Sequence, residues 1–226
     1  MRVLGIVPAR AGSKRIPGKN LALLGGRTLL ERALDAATAA RSLAAVALST
    51  DDPRALAIAR DRYPAVAAIA RPDDLATDES PAIDYVRHAL AQLPGPFDAV
   101  AIVQPSSPLT APDDIDATVA LCDRTGAGSA VTVMRLDHAV HPLKLKRLDG
   151  DRLLPLLEEE AGRMASHELP PVYVRNGAVY VTRTSVIEAG RILDDDCRAV
   201  VMPRERSIDI NDPLDLAFAE FLLARA

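Results

Sequence analysis

Short apolar runs recur along the chain at Val3–Val7, Ala45–Leu48, Val66–Ile69, Ala99–Val103 and Ala130–Val133, each standing between turn-forming or charged residues. Runs of this length without polar alternation predict strands buried on both faces. The stretches between them carry helix start signals. Thr28 and Glu31 form a T-x-x-E capping box ahead of a helix expected over Leu29–Ala40. Asp52 before Pro53, Ser80 before Pro81 and Asp212 before Pro213 each place a capping side chain ahead of a proline at the first helical position. The last of these opens a helix expected over Leu214–Ala226. Strand, helix and strand in succession predict right-handed crossovers. The expected fold is therefore α/β: an open, mostly parallel sheet with helices on both faces, three layers in all.

The rhythm breaks from about His138 to Val174, where prolines and scattered charges leave no clean period. This region holds His141-Pro142, the acidic run Glu158–Glu160 and Pro170-Pro171. It is too long for a plain loop in a compact domain, and predicts an insertion acting as a lid or a subunit-contact arm. Apolar runs resume at Ala178–Val181 and Ala199–Met202, two further strands. The expected organisation is one domain over residues 1–226, with the insertion at about 138–175.

Composition narrows the functions open to such a fold. A chain of 226 residues suits one large domain. Aromatics make up only 3% and Trp is absent, which argues against a stacked-ring platform for single-stranded nucleic acid. A formal net charge of -4 argues against a general polyanion binder. No apolar stretch approaches the roughly 20 residues that span a bilayer, and the start meets Arg10 and Lys14 too soon for a signal peptide. A cytoplasmic protein with two reduced, structural thiols at Cys122 and Cys197 is expected. The four histidines lack zinc-site spacing, and no G-x-S-x-G elbow suggests a covalent nucleophile.

One segment does point to chemistry. After the first strand comes Pro8-Ala9-Arg10-Ala11-Gly12-Ser13-Lys14-Arg15-Ile16-Pro17-Gly18-Lys19-Asn20. Six cations (Arg2, Arg10, Lys14, Arg15, Lys19 and Arg27) precede the first acid, Glu31. In a chain of negative net charge this is a concentrated positive field, at the position where open α/β sheets bind ligands. Gly12 and Gly18 allow positive φ and close approach of backbone amides to phosphate oxygens. The loop is neither a P-loop nor a dinucleotide fingerprint. Five residues separate Gly12 from Gly18, Asn20 replaces the magnesium-binding hydroxyl, and G-x-G-x-x-G is missing.

This loop resembles the nucleotide-binding signature of the acylneuraminate cytidylyltransferases, and the resemblance continues through most of the chain. It implies a Rossmann-like nucleotidyltransferase fold. It also implies that Arg10, Ala11, Gly12, Ser13, Lys14, Lys19 and Asn20 hold a triphosphate. Arg71 and Ser80 lie in a segment that resembles the one reaching the cytosine and ribose. Gln104-Pro105-Ser106-Ser107-Pro108-Leu109 is similar to a family turn in which the glutamine orients a sugar hydroxyl, although Thr110 stands where relatives carry Arg. Lys144 is implied to meet a sugar carboxylate, and Asn176 and Tyr180 to line the sugar pocket. Ser166-His167 replaces an Arg-Gln pair of relatives that use sialic acid, leaving that carboxylate contact to another residue such as Arg163. Ser207–Asp212 resembles the family's S-I-D-I-D segment, implying Mg²⁺ on Asp209 and Asn211, which share one face of an extended chain.

The activity implied is transfer of CMP from CTP to an acidic 2-keto sugar, with Arg10, Lys19 and Asp209 as catalytic residues and a homodimer as the assembly. No nucleic acid or membrane partner is expected. Two alternatives stay open. One is a different acceptor: a legionaminic- or pseudaminic-type acid, Kdo or a phosphonate. The other is a nucleotide-binding regulator without catalysis, which Asn211 in place of a carboxylate favours.

Overall fold

The computed structural model describes residues 1–13, 15–157 and 169–225. Lys14, the acidic run Glu158–Glu160, Arg163 and Ser166-His167 lie outside the described residues. The chain runs β1 (Val3–Pro8), a hairpin of β2 (Leu23–Leu24) and β3 (Arg27–Thr28), α1 (Leu29–Ala39), β4 (Leu43–Thr50), α2 (Pro53–Arg62), β5 (Val66–Ala70), α3 (Ala82–Gln92) and β6 (Ala99–Val103). It continues with α4 (Pro112–Thr125), β7 (Ser129–Arg135), β8 (Lys146–Asp149), β9 (Arg152–Pro155), β10 (Tyr173–Arg183), α5 (Thr184–Glu188), β11 (Cys197–Val201) and α6 (Pro213–Leu223). Seven strands form one sheet in the order β11-β7-β10-β6-β1-β4-β5. All neighbouring pairs are parallel except those made by β10, which runs antiparallel to both β6 and β7.

Alternate residues of the strands serve two cores. Val3 and Val7 of β1, with Ala99, Ala101 and Val103 of β6, pack against Leu34 and Ala37 of α1 and Ile115 and Val119 of α4. Leu4 and Ile6 of β1, with Val100 and Ile102 of β6, pack against Tyr85, Val86 and Ala89 of α3 and Ile187 of α5. This division is the period of two of a strand buried on both faces, and it produces the expected three layers.

The helix starts follow the sequence signals with one exception. Thr28 and Glu31 exchange the bonds of a capping box, Asp52 accepts from the Arg54 amide, and Asp212 accepts from Leu214 and Asp215. Ser80 does not cap α3, whose N-cap is Pro81. The Ser80 hydroxyl instead donates to the Asp74 carbonyl at 2.8 Å, closing the preceding loop on itself. Gly18 has the expected positive φ, at 64°, whereas Gly12 does not. Cys122 is buried and Cys197 exposed on the edge strand β11, so only the first is a core thiol. The irregular insertion contains short 3-10 turns and the β8–β9 hairpin, and its last residues already belong to β10. No described helix is long and apolar enough to cross a membrane.

The antiparallel strand decides where the chemistry can sit. β1, β4, β5 and β6 all end on one edge of the sheet, which sets Arg10, Asp51, Arg71 and Gln104 side by side. Because β10 runs the other way, its amino-terminal half reaches the same edge, and the Gln104 amide donates to the Ala178 carbonyl at 3.1 Å. The register of β10 on β7 shifts between Arg175 and Tyr180, where Gly177 has φ 77°. A Cβ at Gly177 meets only ordinary contacts, with Asp209 and Ser107. The backbone angle, not space, requires glycine. Gly177→Ala is therefore expected to cost about 1–2 kcal/mol, read as a lower urea midpoint at unchanged slope.

Candidate active site

Two adjoining cavities occupy that edge, of about 250 Å³ and about 280 Å³, and share Arg10, Lys19, Asn20 and Asp78 as walls. Arg71, Ser80, Tyr85 and Gln104 line the first. Gly12, Ser13, Arg15 and Asn211 line the second. The cleft lies beside the junction of β1 with β6, where the strand order reverses and open α/β sheets take ligands.

The loop after β1 is held in shape by acceptors that take up its amides and cations and by a donor to one of its carbonyls. The Ala11 amide donates to Asp51 at 2.8 Å, so this amide, expected to face phosphate, is engaged within the protein. Asn20 donates to the Arg10 carbonyl at 2.9 Å and closes the loop across its base. The Arg10 guanidinium pairs with Asp78 at 2.5 Å, tying the loop to the segment before α3. Lys19 donates from Nζ to the Ile210 carbonyl at 2.8 Å, which joins the loop to the strand-like segment carrying Asp209 and Asn211. Burial pulls the Lys19 pKa below its ordinary value, and Arg15 and Arg10 push the same way, while Asp209 opposes them. A half-buried ammonium crowded by two guanidinium groups is a site that gains from an incoming anion.

Arg71 is buried at 6% exposure, with Nε donating to Ser49 Oγ at 3.1 Å and Nη2 to the Ser49 carbonyl at 2.8 Å. Burial lowers its pKa. Gln104 lines the first cavity with its backbone fixed between β6 and β10.

The Asp209 charge acts on both Lys19 and Tyr180. Burial raises the Tyr180 pKa, and the Asp209 charge adds to the rise. The segment bearing Asp209 is fastened on several sides. Arg206 forks onto Asp114 at 2.7 and 3.2 Å, the Ile210 amide donates to the Ser106 carbonyl at 2.7 Å, and the Asn211 amide donates to Asp215 at 2.8 Å. Asn211 Nδ2 donates to the Asp209 carboxylate at 2.8 Å. Among the described residues no group of three or more His, Cys, Asp or Glu side chains could hold a metal ion. One carboxylate and one amide fit a magnesium ion that arrives with phosphate oxygens, which is how this ion is commonly held, and do not fit an all-protein cage.

Three of the four expected sugar-site residues line neither cavity: Asn176, Lys144 and Tyr180, the last partly buried against the core on the α3 side of the sheet. Asn176 is buried, accepts from Thr132 at 2.7 Å and donates to Ser207 at 3.0 Å and to the Met202 sulfur at 3.1 Å. Its side chain is spent on joining β7, β10 and the Asp209 segment and lines neither cavity. Lys144 ends a 3-10 turn outside the cleft, where its charge helps to lower the Asp137 pKa. Conversely, the sequence assigns no role to Asp51 or Tyr85, and it offers Asp78 only as part of the segment with Arg71 and Ser80. The signal for the first two is position, Asp51 just after β4 and Tyr85 on the apolar face of α3.

A cation-walled cleft at the carboxyl ends of parallel strands, at the reversal of strand order, defines an α/β protein built for an anionic nucleotide-sized ligand. A family model described as "Cytidylyltransferase" matches residues 4–193. The CMP-N,N'-diacetyllegionaminic acid synthase of Legionella pneumophila is 33% identical over 230 residues, covering 99% of this chain and 97% of the relative. The chain belongs to the cytidylyltransferase family and is a nucleotidyltransferase. The N-acylneuraminate cytidylyltransferase of Escherichia coli is 26% identical over 219 residues, 96% of this chain but 51% of the relative, so this chain spans about half of that protein. A solved CMP:2-keto-3-deoxy-manno-octonic acid synthetase complexed with CTP shares the fold, with a TM-score of 0.74 at 18% identity over 100% of this chain and 99% of that one.

The bonding of Asn176 sets a measurable expectation. Asn176→Ala takes one buried hydrogen-bond partner from each of the Thr132 and Ser207 hydroxyls. It should cost about 2 kcal/mol in urea unfolding while substrate KM values stay near wild type.

Proposed function

We propose that the protein transfers CMP from CTP to a nine-carbon 2-keto sugar acid of the sialic or legionaminic type and releases pyrophosphate. The observation that carries this reading is the Lys19–Ile210 bond, which places the cationic loop directly against the Asp209–Asn211 segment. The anomeric hydroxyl oxygen forms a bond to the α-phosphorus, its proton passes to solvent water, and the bond from the α-phosphorus to the bridging oxygen of pyrophosphate breaks. Arg10, Lys19, the loop at Gly12 and Ser13, and Lys14 beyond the described residues would hold the triphosphate. They would also stabilise the negative charge gathered by the departing pyrophosphate, so positioning and electrostatics suffice. Asp209, with the Asn211 amide turned to present its oxygen, would hold Mg²⁺, whose chemistry is to neutralise phosphate charge. Arg71 and Ser80 would contact the base and ribose, and Gln104 the acceptor. The legionaminic acid named for the Legionella relative supports an acceptor of this class. CTP as substrate fits a cytoplasmic enzyme.

Pyrophosphate release with CTP and Mg²⁺, measured against a panel of 2-keto acids and phosphonates, tests the reading. Turnover with a nonulosonate supports it. Tight CTP binding with no turnover on any acid would instead establish a regulator. Lys19→Ala should lower kcat by about 10²-fold, the scale of losing one preorganised charge stabiliser. A variant with nearly full turnover would remove the loop from catalysis.

The enzyme is further proposed to work as a homodimer joined through the insertion. Leu148 of β8 faces Leu153 of β9 across the hairpin, and they are 71% and 65% exposed. A paired apolar surface on a projecting hairpin is suited to a partner. Sedimentation should give about twice the 24.1 kDa chain mass, and Leu148→Asp with Leu153→Asp should return it to the mass of one chain.

A further inference from the structure

Arg71 is a buried cation, and among the described residues no carboxylate pairs with it. Its guanidinium uses Nε and Nη2 on Ser49, and among the described residues Nη1 has no acceptor. One flat face of the group is covered. The guanidinium carbon lies 4.4 Å from the centroid of the Tyr85 ring. Tyr85 is itself fixed, 7% exposed on α3 and packed among Leu4, Ile6 and Ile102 of the sheet. Arg71 and Tyr85 both line the first cavity, so the supported cation forms part of its wall. A free arginine carries considerable rotamer entropy, and a desolvated cation over an aromatic face is worth more than the same contact in water.

We infer that Tyr85 is a positioning residue for nucleobase recognition: its ring fixes the plane of the Arg71 guanidinium so that Nη1 presents to the base. This rests on the proposed reading of Arg71 as the base contact. The part played by Tyr85 is assigned to the ring and not to the hydroxyl, because the phenolic oxygen is buried without a hydrogen-bond partner among the described residues. An unpartnered buried hydroxyl opposes folding, so the conservative phenylalanine keeps the stacked face and relieves that cost.

The test compares Tyr85→Phe, Tyr85→Leu and Arg71→Met in steady-state pyrophosphate release, with CTP and with UTP as donor. Tyr85→Leu should raise the KM for CTP about tenfold, the loss of one desolvated cation–π contact, and narrow the preference for CTP over UTP. Its kcat and the KM for the acid acceptor should stay within twofold. Tyr85→Phe should restore wild-type KM and raise the melting temperature. If Tyr85→Leu does not fold, Tyr85→Met fills the volume without a π face and takes its place. A wild-type CTP KM and donor preference in Tyr85→Leu overturns the inference. So does a Tyr85→Phe as impaired as Tyr85→Leu, which would assign the role to the hydroxyl. Arg71→Met separates the two levels. If it raises the CTP KM while Tyr85→Leu does not, only this inference fails. If Arg71→Met leaves the CTP KM unchanged, the underlying reading of Arg71 fails with it.

Discussion

The crowding of positive charge after the first strand is the constraint from which the rest of the site follows. Burial holds the Lys19 pKa below its ordinary value, and the neighbouring Arg15 and Arg10 charges press in the same direction. The fold meets this charge with Asp78, which pairs with Arg10 in the wall both cavities share, and with a neutral carbonyl, that of Ile210, on Lys19. Arg10, Arg15, Lys19 and Arg71 still outnumber that acid among the described lining residues. Such an arrangement gains most when an anion enters.

The single antiparallel strand makes that field useful. In a wholly parallel sheet, only loops that follow strands reach the ligand edge. Here the amino-terminal half of β10 also arrives there and, through Asn176, Gly177 and Ser207, seats the segment that carries Asp209. Arg206 on Asp114 and Ile210 on Ser106 hold the same segment from the side of α4 and the turn after β6. Cations from one end of the chain and a carboxylate from the other are thus brought close enough for the Asp209 charge to act on Lys19.

Much of this was legible in the residues, because the signals were local. Unbroken apolar runs gave the strands on both sides of the sheet, and Thr28, Asp52 and Asp212 fell where capping chemistry requires. The loop was legible because charge concentration needs no tertiary context. What escaped notice depends on partners distant in sequence. Asp51 reads as an ordinary loop acid, and Asp78 as one member of a family-like segment, until β4 and the turn before α3 are placed against Ala11 and Arg10. Asn176 matched a family motif, yet motif matching cannot tell a side chain lining a pocket from one bonding behind it. Ser80 preceded a proline in the manner of a cap, but its hydroxyl found a nearer carbonyl at Asp74. The β8–β9 hairpin carries no strong alternation, since its exposed leucines follow a surface instead of a core.

A crystal structure of the protein soaked with CTP and Mg²⁺ tests the central claim most directly. The account predicts the triphosphate in the cleft between Arg10, Ser13 and Lys19, with the base against Arg71 and Mg²⁺ held by Asp209. Nucleotide bound at any other surface, with the cleft beside β1 left empty, would contradict it.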